Sequence, residues 1–168
     1  IEKIAKLKKK KVQLGIRLNP NTDAKTLSQI STGKKENKFG VDKKTFFKLI
    51  KYCKNSKNLE LKCLSVHIGS QILNYKPYEK MLKIIHKTIN QVNHKFEFID
   101  LGGGMGIPYE NKSKILNFKK YNIAIKKFLK NHKSKIIFEP GRTIIGNTGF
   151  LISEIIYIKK SGKKNFVV

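Results

Sequence analysis

A chain of 168 residues, 39% apolar and 10% aromatic, carries enough core-forming side chains for one folded domain, which excludes an intrinsically disordered segment. No apolar run reaches the roughly 18 to 20 uncharged residues of a membrane helix, and Ile1-Glu2-Lys3-Ile4 lacks the design of a signal peptide, so a cytoplasmic protein with no membrane partner is expected. The formal charge of +26 comes from lysines scattered through the chain, with only Arg17 and Arg142 as arginines; this favours a solvated surface over a specific nucleic-acid face, and a basic nucleic-acid-binding domain stands as the alternative from another class.

In chain order, residues 1 to about 9 read as the end of a helix with Ile4 and Leu7 on one side. Val12 to Leu18 alternates as a strand does and stops at Asn19-Pro20, where proline removes a donor. A polar loop follows, with Ser31-Thr32-Gly33 and Lys38-Phe39-Gly40. Asp42 is placed to cap a helix whose Phe46, Phe47, Leu49, Ile50 and Cys53 form an apolar face. Leu61 to Ile68 reads as a strand, and Pro77 opens a helix with Tyr78, Met81, Leu82, Ile85, Ile89 and Val92 at helical spacing. Phe96 to Leu101 is a strand, Phe118 to Leu129 a helix and Lys135 to Phe138 a strand. Beyond Arg142 the rhythm changes: Phe150 to Ile158 is β-rich, Ser161-Gly162 marks a turn, and Asn165 to Val168 starts another strand. The expected division is residues 1–148 as part of a (β/α) barrel and residues 149–168 as the first hairpin of a β domain. Cys53 and Cys63 have no ligand or disulfide spacing and read as buried thiols, with no metal site.

Four strand ends carry clusters of chemically capable residues: Arg17-Leu18-Asn19-Pro20, His67-Ile68-Gly69-Ser70-Gln71, Gly102-Gly103-Gly104-Met105-Gly106 and Glu139-Pro140-Gly141-Arg142. Positions 67 and 102 are 35 apart and positions 102 and 139 are 37 apart, with one helical stretch in each gap, which is the rhythm of a (β/α) barrel. Such a barrel does its chemistry at the C-terminal ends of its strands. Four units cannot close a barrel of eight, and the chain starts without methionine and stops inside an apolar run, so an interior piece of a longer protein is expected. A small open sheet or a dimerising half-barrel are the alternatives.

Taken singly, each cluster has two readings. Successive glycines let backbone N–H groups approach an anion, or simply make a flexible turn; the dinucleotide pattern fails at Ile107 and no Walker lysine follows. Glu139, ending an apolar strand, needs a partner, and a structural ion pair with Arg142 is the plain reading. His67 is a structural histidine or a catalytic one, and Ser70 caps a turn or donates to a phosphate.

In order and spacing, the His67–Gln71, Asp100–Tyr109 and Glu139–Arg142 segments together resemble the alanine-racemase-like, pyridoxal-phosphate-dependent decarboxylases. Ile30-Ser31-Thr32-Gly33, Lys38-Phe39-Gly40 and Arg17-Leu18-Asn19-Pro20 narrow this to the diaminopimelate decarboxylase branch, over essentially the whole chain. The resemblance implies the second half of a pyridoxal-phosphate-binding (β/α)8 barrel, α/β in class, followed by the first hairpin of a C-terminal β domain. It implies decarboxylation of meso-2,6-diaminopimelate to L-lysine by a homodimer of the full-length parent. Glu139 is implied at the pyridine nitrogen and His67 against the ring, as the catalytic pair. Ser70, Gly102, Gly103, Gly104, Gly141 and Arg142 are implied at the phosphate, with Arg142 also able to meet a substrate carboxylate, and the Ser31–Gly40 loop as a lid. None of the lysines here matches the family's Schiff-base lysine, and neither cysteine matches its proton donor, so this stretch alone is expected to be inactive. A related ornithine, arginine or carboxynorspermidine decarboxylase and a noncatalytic single-barrel relative are the near alternatives; the β-rich end disfavours the latter.

Overall fold

Four β-strands in a computed structural model, which describes residues 1–24, 33, 38–109 and 115–168, lie side by side in chain order and all run parallel. They are β1 (Val12–Arg17), β2 (Leu59–Ser65), β3 (Phe98–Gly103) and β4 (Lys135–Glu139). Between them run α2 (Lys43–Asn55), α3 (Lys76–Asn90) and α4 (Phe118–Leu129), with α1 (Glu2–Leu7) ahead of the sheet and α5 (Gly141–Ile145) behind it. Parallel neighbours require a crossover, and here each crossover contains a helix.

Local chemistry explains the helix boundaries. Asp42 caps α2, its carboxylate accepting from the Thr45 amide at 2.9 Å, and Asn117 does the same for α4 through the Lys120 amide at 2.9 Å. Proline sits in the first turn of α3, where its missing N–H costs nothing. The apolar faces of α2 and α3 pack on the sheet: Phe46, Met81 and Ile85 are buried with Leu64 and Ile99 of the strands in one core, and the Phe46 ring stacks on Phe96 at 6.3 Å. Val92 lies past the end of α3, in a turn whose amide still bonds to Ile89.

Elsewhere the boundaries differ from expectation for identifiable reasons. β3 continues through two glycines because Gly103 pairs with Glu139, across a register shift that begins at Asp100. Residues 150–157 are not a strand. Here β5 (Ile158–Ser161) and β6 (Lys164–Val167) pair, antiparallel, about the Gly162 turn at φ +57°, and the pairing reaches back only to Ile156 and Tyr157, whose amides donate to the Val168 carbonyl. Of the first helix only Ala5 is buried; Ile4 and Leu7 stay exposed. Every residue from 144 to 168 is exposed, with Phe150 at 96%, although Gly146 lies close against the Ile107 side chain. β1 and β4 form the open edges of the sheet. Cys53 is buried and Cys63 half-buried; burial pushes both thiols up, away from the reactive thiolate. No helix among the described residues is long and apolar enough to cross a membrane.

Candidate active site

Because the strands are parallel and adjacent, their C-terminal ends meet along one rim. Arg17 closes β1, His67 follows β2, the glycine turn closes β3 and Glu139 closes β4. A guanidinium nitrogen of Arg17 donates to the His67 carbonyl at 3.4 Å, and its charged carbon lies 5.2 Å from the centre of the Phe39 ring.

The glycines are fixed by close backbone approach. A Cβ on Gly103 would stand 1.9 Å from the Glu139 carbonyl oxygen, and one on Gly104 would stand 1.9 Å from that of Gly69. Gly102 and Gly104 also have φ of +65° and +86°, where a side chain is strained. Two of the three amides turn inward. Gly102 N–H donates to Asp100 Oδ1 at 2.8 Å and Gly103 N–H to His67 Nδ1 at 3.1 Å, while Asp100 Oδ2 accepts from Ser65 at 2.9 Å. In this structure Gly102 and Gly103 therefore shape the turn and do not offer their amides to an anion. Beyond it, the Ile72 amide donates to Gly104 O at 2.9 Å, and Gln71 closes both polar groups of Ile107, accepting from its N–H and donating to its carbonyl. Gln71 was visible only as part of a motif; this stitching of two strand ends has no local sequence signal.

The Gly103 amide must meet a lone pair, so His67 Nδ1 is unprotonated and the proton of the neutral ring sits on Nε2. Burial, then the Arg17 charge, holds the His67 pKa below the ordinary histidine value, against weaker opposing pulls from Glu139 and Asp100. A lowered histidine pKa means the unfolded chain takes up the proton first, so this contribution to stability is complete above about pH 6.5 and is lost as pH falls through the folded value. His132, also lowered, acts in the same window. In full-length protein, denaturant unfolding should show stability dropping from pH 7.5 to 5.5. The drop should shrink in His67→Asn, whose Oδ1 can take the Gly103 amide without titrating; equal drops would refute the assignment.

Glu139 departs from expectation. It is exposed, because β4 is an edge strand, and it makes no ion pair with Arg142. Arg142 instead bonds through its guanidinium to the Tyr109 hydroxyl, and its Nε is buried with no hydrogen-bond partner among the described residues. Thr143 anchors α5 by donating to the Met105 carbonyl at 2.8 Å. Ser70 is half-buried next to the turn, and Gly141 is exposed with open space where a Cβ would sit. Of the proposed lid, Gly33 is buried, its carbonyl accepting from Thr22 N–H at 2.7 Å and its Cα side against Ile68; Phe39 and Gly40 flank β1, and Ser31 and Thr32 lie outside the described residues. Among the described residues no group of three histidine, cysteine or acidic side chains could hold a metal ion.

A guanidinium nitrogen and a carboxylate without partners among the described residues, a hydroxyl, a strictly glycine turn and a flat neutral imidazole along one rim suit an anionic, planar, nitrogen-containing ring compound. The chain belongs to the pyridoxal-dependent decarboxylases, whose pyridoxal binding domain it matches over residues 1–146. Among curated relatives, it is 39% identical over 162 residues to diaminopimelate decarboxylase of Aquifex aeolicus, covering 95% of this chain and 39% of that protein. It is 41% identical over 172 residues to the enzyme of the same name from Helicobacter pylori, covering all of this chain and 42% of the relative. A crystal structure of the Helicobacter pylori enzyme complexed with L-lysine superposes with a TM-score of 0.86 at 39% identity, over 99% of this chain and 42% of that one. The chain thus spans about two-fifths of the length of the relatives it matches.

Proposed function

We propose that the chain is the pyridoxal-phosphate-holding part of a diaminopimelate decarboxylase, which converts meso-2,6-diaminopimelate to L-lysine and carbon dioxide. The observation that carries this reading is the meeting of His67, the glycine turn and Glu139 at adjacent parallel strand ends, in a chain about 40% identical to enzymes of that name. Bound pyridoxal phosphate supplies an electron-accepting ring for the pair left behind when carbon dioxide departs. Glu139 is the carboxylate that holds a proton on the ring nitrogen, and with no ion-pair partner among the described residues it is available to do so. His67, locked in one tautomer, offers a flat neutral face to the ring. Ser70, Gly104, Gly141 and Arg142 hold the phosphate, Gly102 and Gly103 hold the turn in shape, and Arg142 is also placed to meet a substrate carboxylate. No lysine of this chain is given the Schiff-base role.

The division at residue 148 is kept as part of this proposal: the family match ends at 146 and the antiparallel hairpin follows. A homodimer and an inactive isolated fragment are inferred from the family resemblance, and a cytoplasmic location is kept as part of the same proposal. The test is carbon dioxide release by the full-length protein on meso-diaminopimelate, with and without added pyridoxal phosphate. Cofactor-dependent release is expected. Preference for ornithine or arginine would move the protein to a sister activity, and no cofactor-dependent turnover on any amino acid would sink the reading.

A further inference from the structure

Three successive glycines lose more backbone freedom on ordering than any other tripeptide, so a turn made of them is a poor anion site unless something else fixes its shape. Two side chains outside the expected site do this. Tyr78, in the first turn of α3, is completely buried, and its hydroxyl donates to the Gly103 carbonyl at 3.1 Å. Its ring stacks on Tyr121 at 4.5 Å, which sets the direction of the hydroxyl. Asp100, in β3, takes the Gly102 amide on one oxygen and the Ser65 hydroxyl on the other. With His67 on the Gly103 amide, the peptide groups at the start of the turn are held from three elements at once.

We propose that Tyr78 and Asp100 are positioning residues for a phosphate monoester bound at the Gly102–Gly104 turn, fixing its shape through the Gly103 carbonyl and the Gly102 amide. The inference rests on the pyridoxal-phosphate reading above. By ordering the turn when the protein folds, the two side chains remove that entropy cost from the binding step. The benefit belongs to the phosphate alone, because the ring is met by His67 and Glu139.

That distinction supplies the test. Full-length apoprotein is titrated with pyridoxal phosphate and, separately, with pyridoxal, which lacks the phosphate, following the absorbance change. Tyr78→Phe keeps the buried ring and removes one neutral hydrogen bond, so affinity for pyridoxal phosphate should fall about fivefold. Asp100→Ala removes a charged acceptor and should lower it about tenfold or more, while Asp100→Asn, which retains an acceptor for the Gly102 amide, should recover most of the loss. Pyridoxal affinity should stay within about twofold throughout. If Asp100→Ala does not fold, the conservative Tyr78→Phe decides. Equal losses for both ligands, or no loss for pyridoxal phosphate in variants with wild-type unfolding curves, overturn the inference. Wild-type protein that binds neither ligand overturns the pyridoxal reading itself.

Discussion

On the decarboxylase reading proposed above, Glu139→Gln in the full-length protein is expected to lower kcat about a hundredfold or more at saturating pyridoxal phosphate. The expectation comes from where β4 stops. Its last residue sits on the rim, paired in register with Gly103, and its charge favours the protonated form of His67. No lysine or arginine among the described residues neutralises it. A carboxylate left unpaired beside a ring-binding face can keep a ring nitrogen protonated; an amide carries no charge to do so. The measurement is steady-state carbon dioxide release at saturating substrate, after spectroscopic confirmation that cofactor is bound. A variant with cofactor bound and kcat within about threefold of wild type would show that Glu139 does not act on the ring.

Gly103→Ala has the largest expected effect on the fold itself. The new methyl group would meet the Glu139 backbone oxygen at 1.9 Å, and neither side of that contact is a flexible side chain. Relief requires separating β3 from β4, which breaks the pairing between them and pulls on the Tyr78 and His67 bonds to the same residue. Overpacking of this kind costs about 3 kcal/mol or more. Gly149→Ala is the control, since nothing lies within 4 Å of its Cβ position, and should shift stability by less than about 0.5 kcal/mol. Denaturant unfolding of both variants of the 168-residue chain checks the pair. A Gly103→Ala protein as stable as Gly149→Ala would mean that β3 and β4 do not meet in this register.

The sequence revealed most where one residue's own chemistry decides the structure. Asp42 and Pro77 announced helix starts, α4 has the bounds its periodicity gave, and the spacing of strand ends foretold parallel strands in chain order. It said little where a partner far along the chain decides. Glu139 and Arg142 read as a pair because they are three residues apart, yet Arg142 goes to Tyr109. The three glycine amides read as an anion cradle, yet two are taken by Asp100 and His67. Tyr78 fitted the apolar stripe of its helix, and nothing local shows that its hydroxyl ends at Gly103. The short helix α5 was missed because Pro140-Gly141 reads as turn punctuation, although proline is also a natural helix opener.

The sheet order β1-β2-β3-β4 is also the order of synthesis. From β2 onward, each strand leaving the ribosome therefore finds its neighbour on one side already made, and waits only for the next unit to cover its other side. Growth can proceed one strand-helix unit at a time, with contacts closing over about 35 to 48 residues, which limits how long sticky strand edges stand open in the nascent chain. Protease protection of ribosome-bound chains of increasing length should rise in steps of that size. A single late step would show that the sheet assembles all at once.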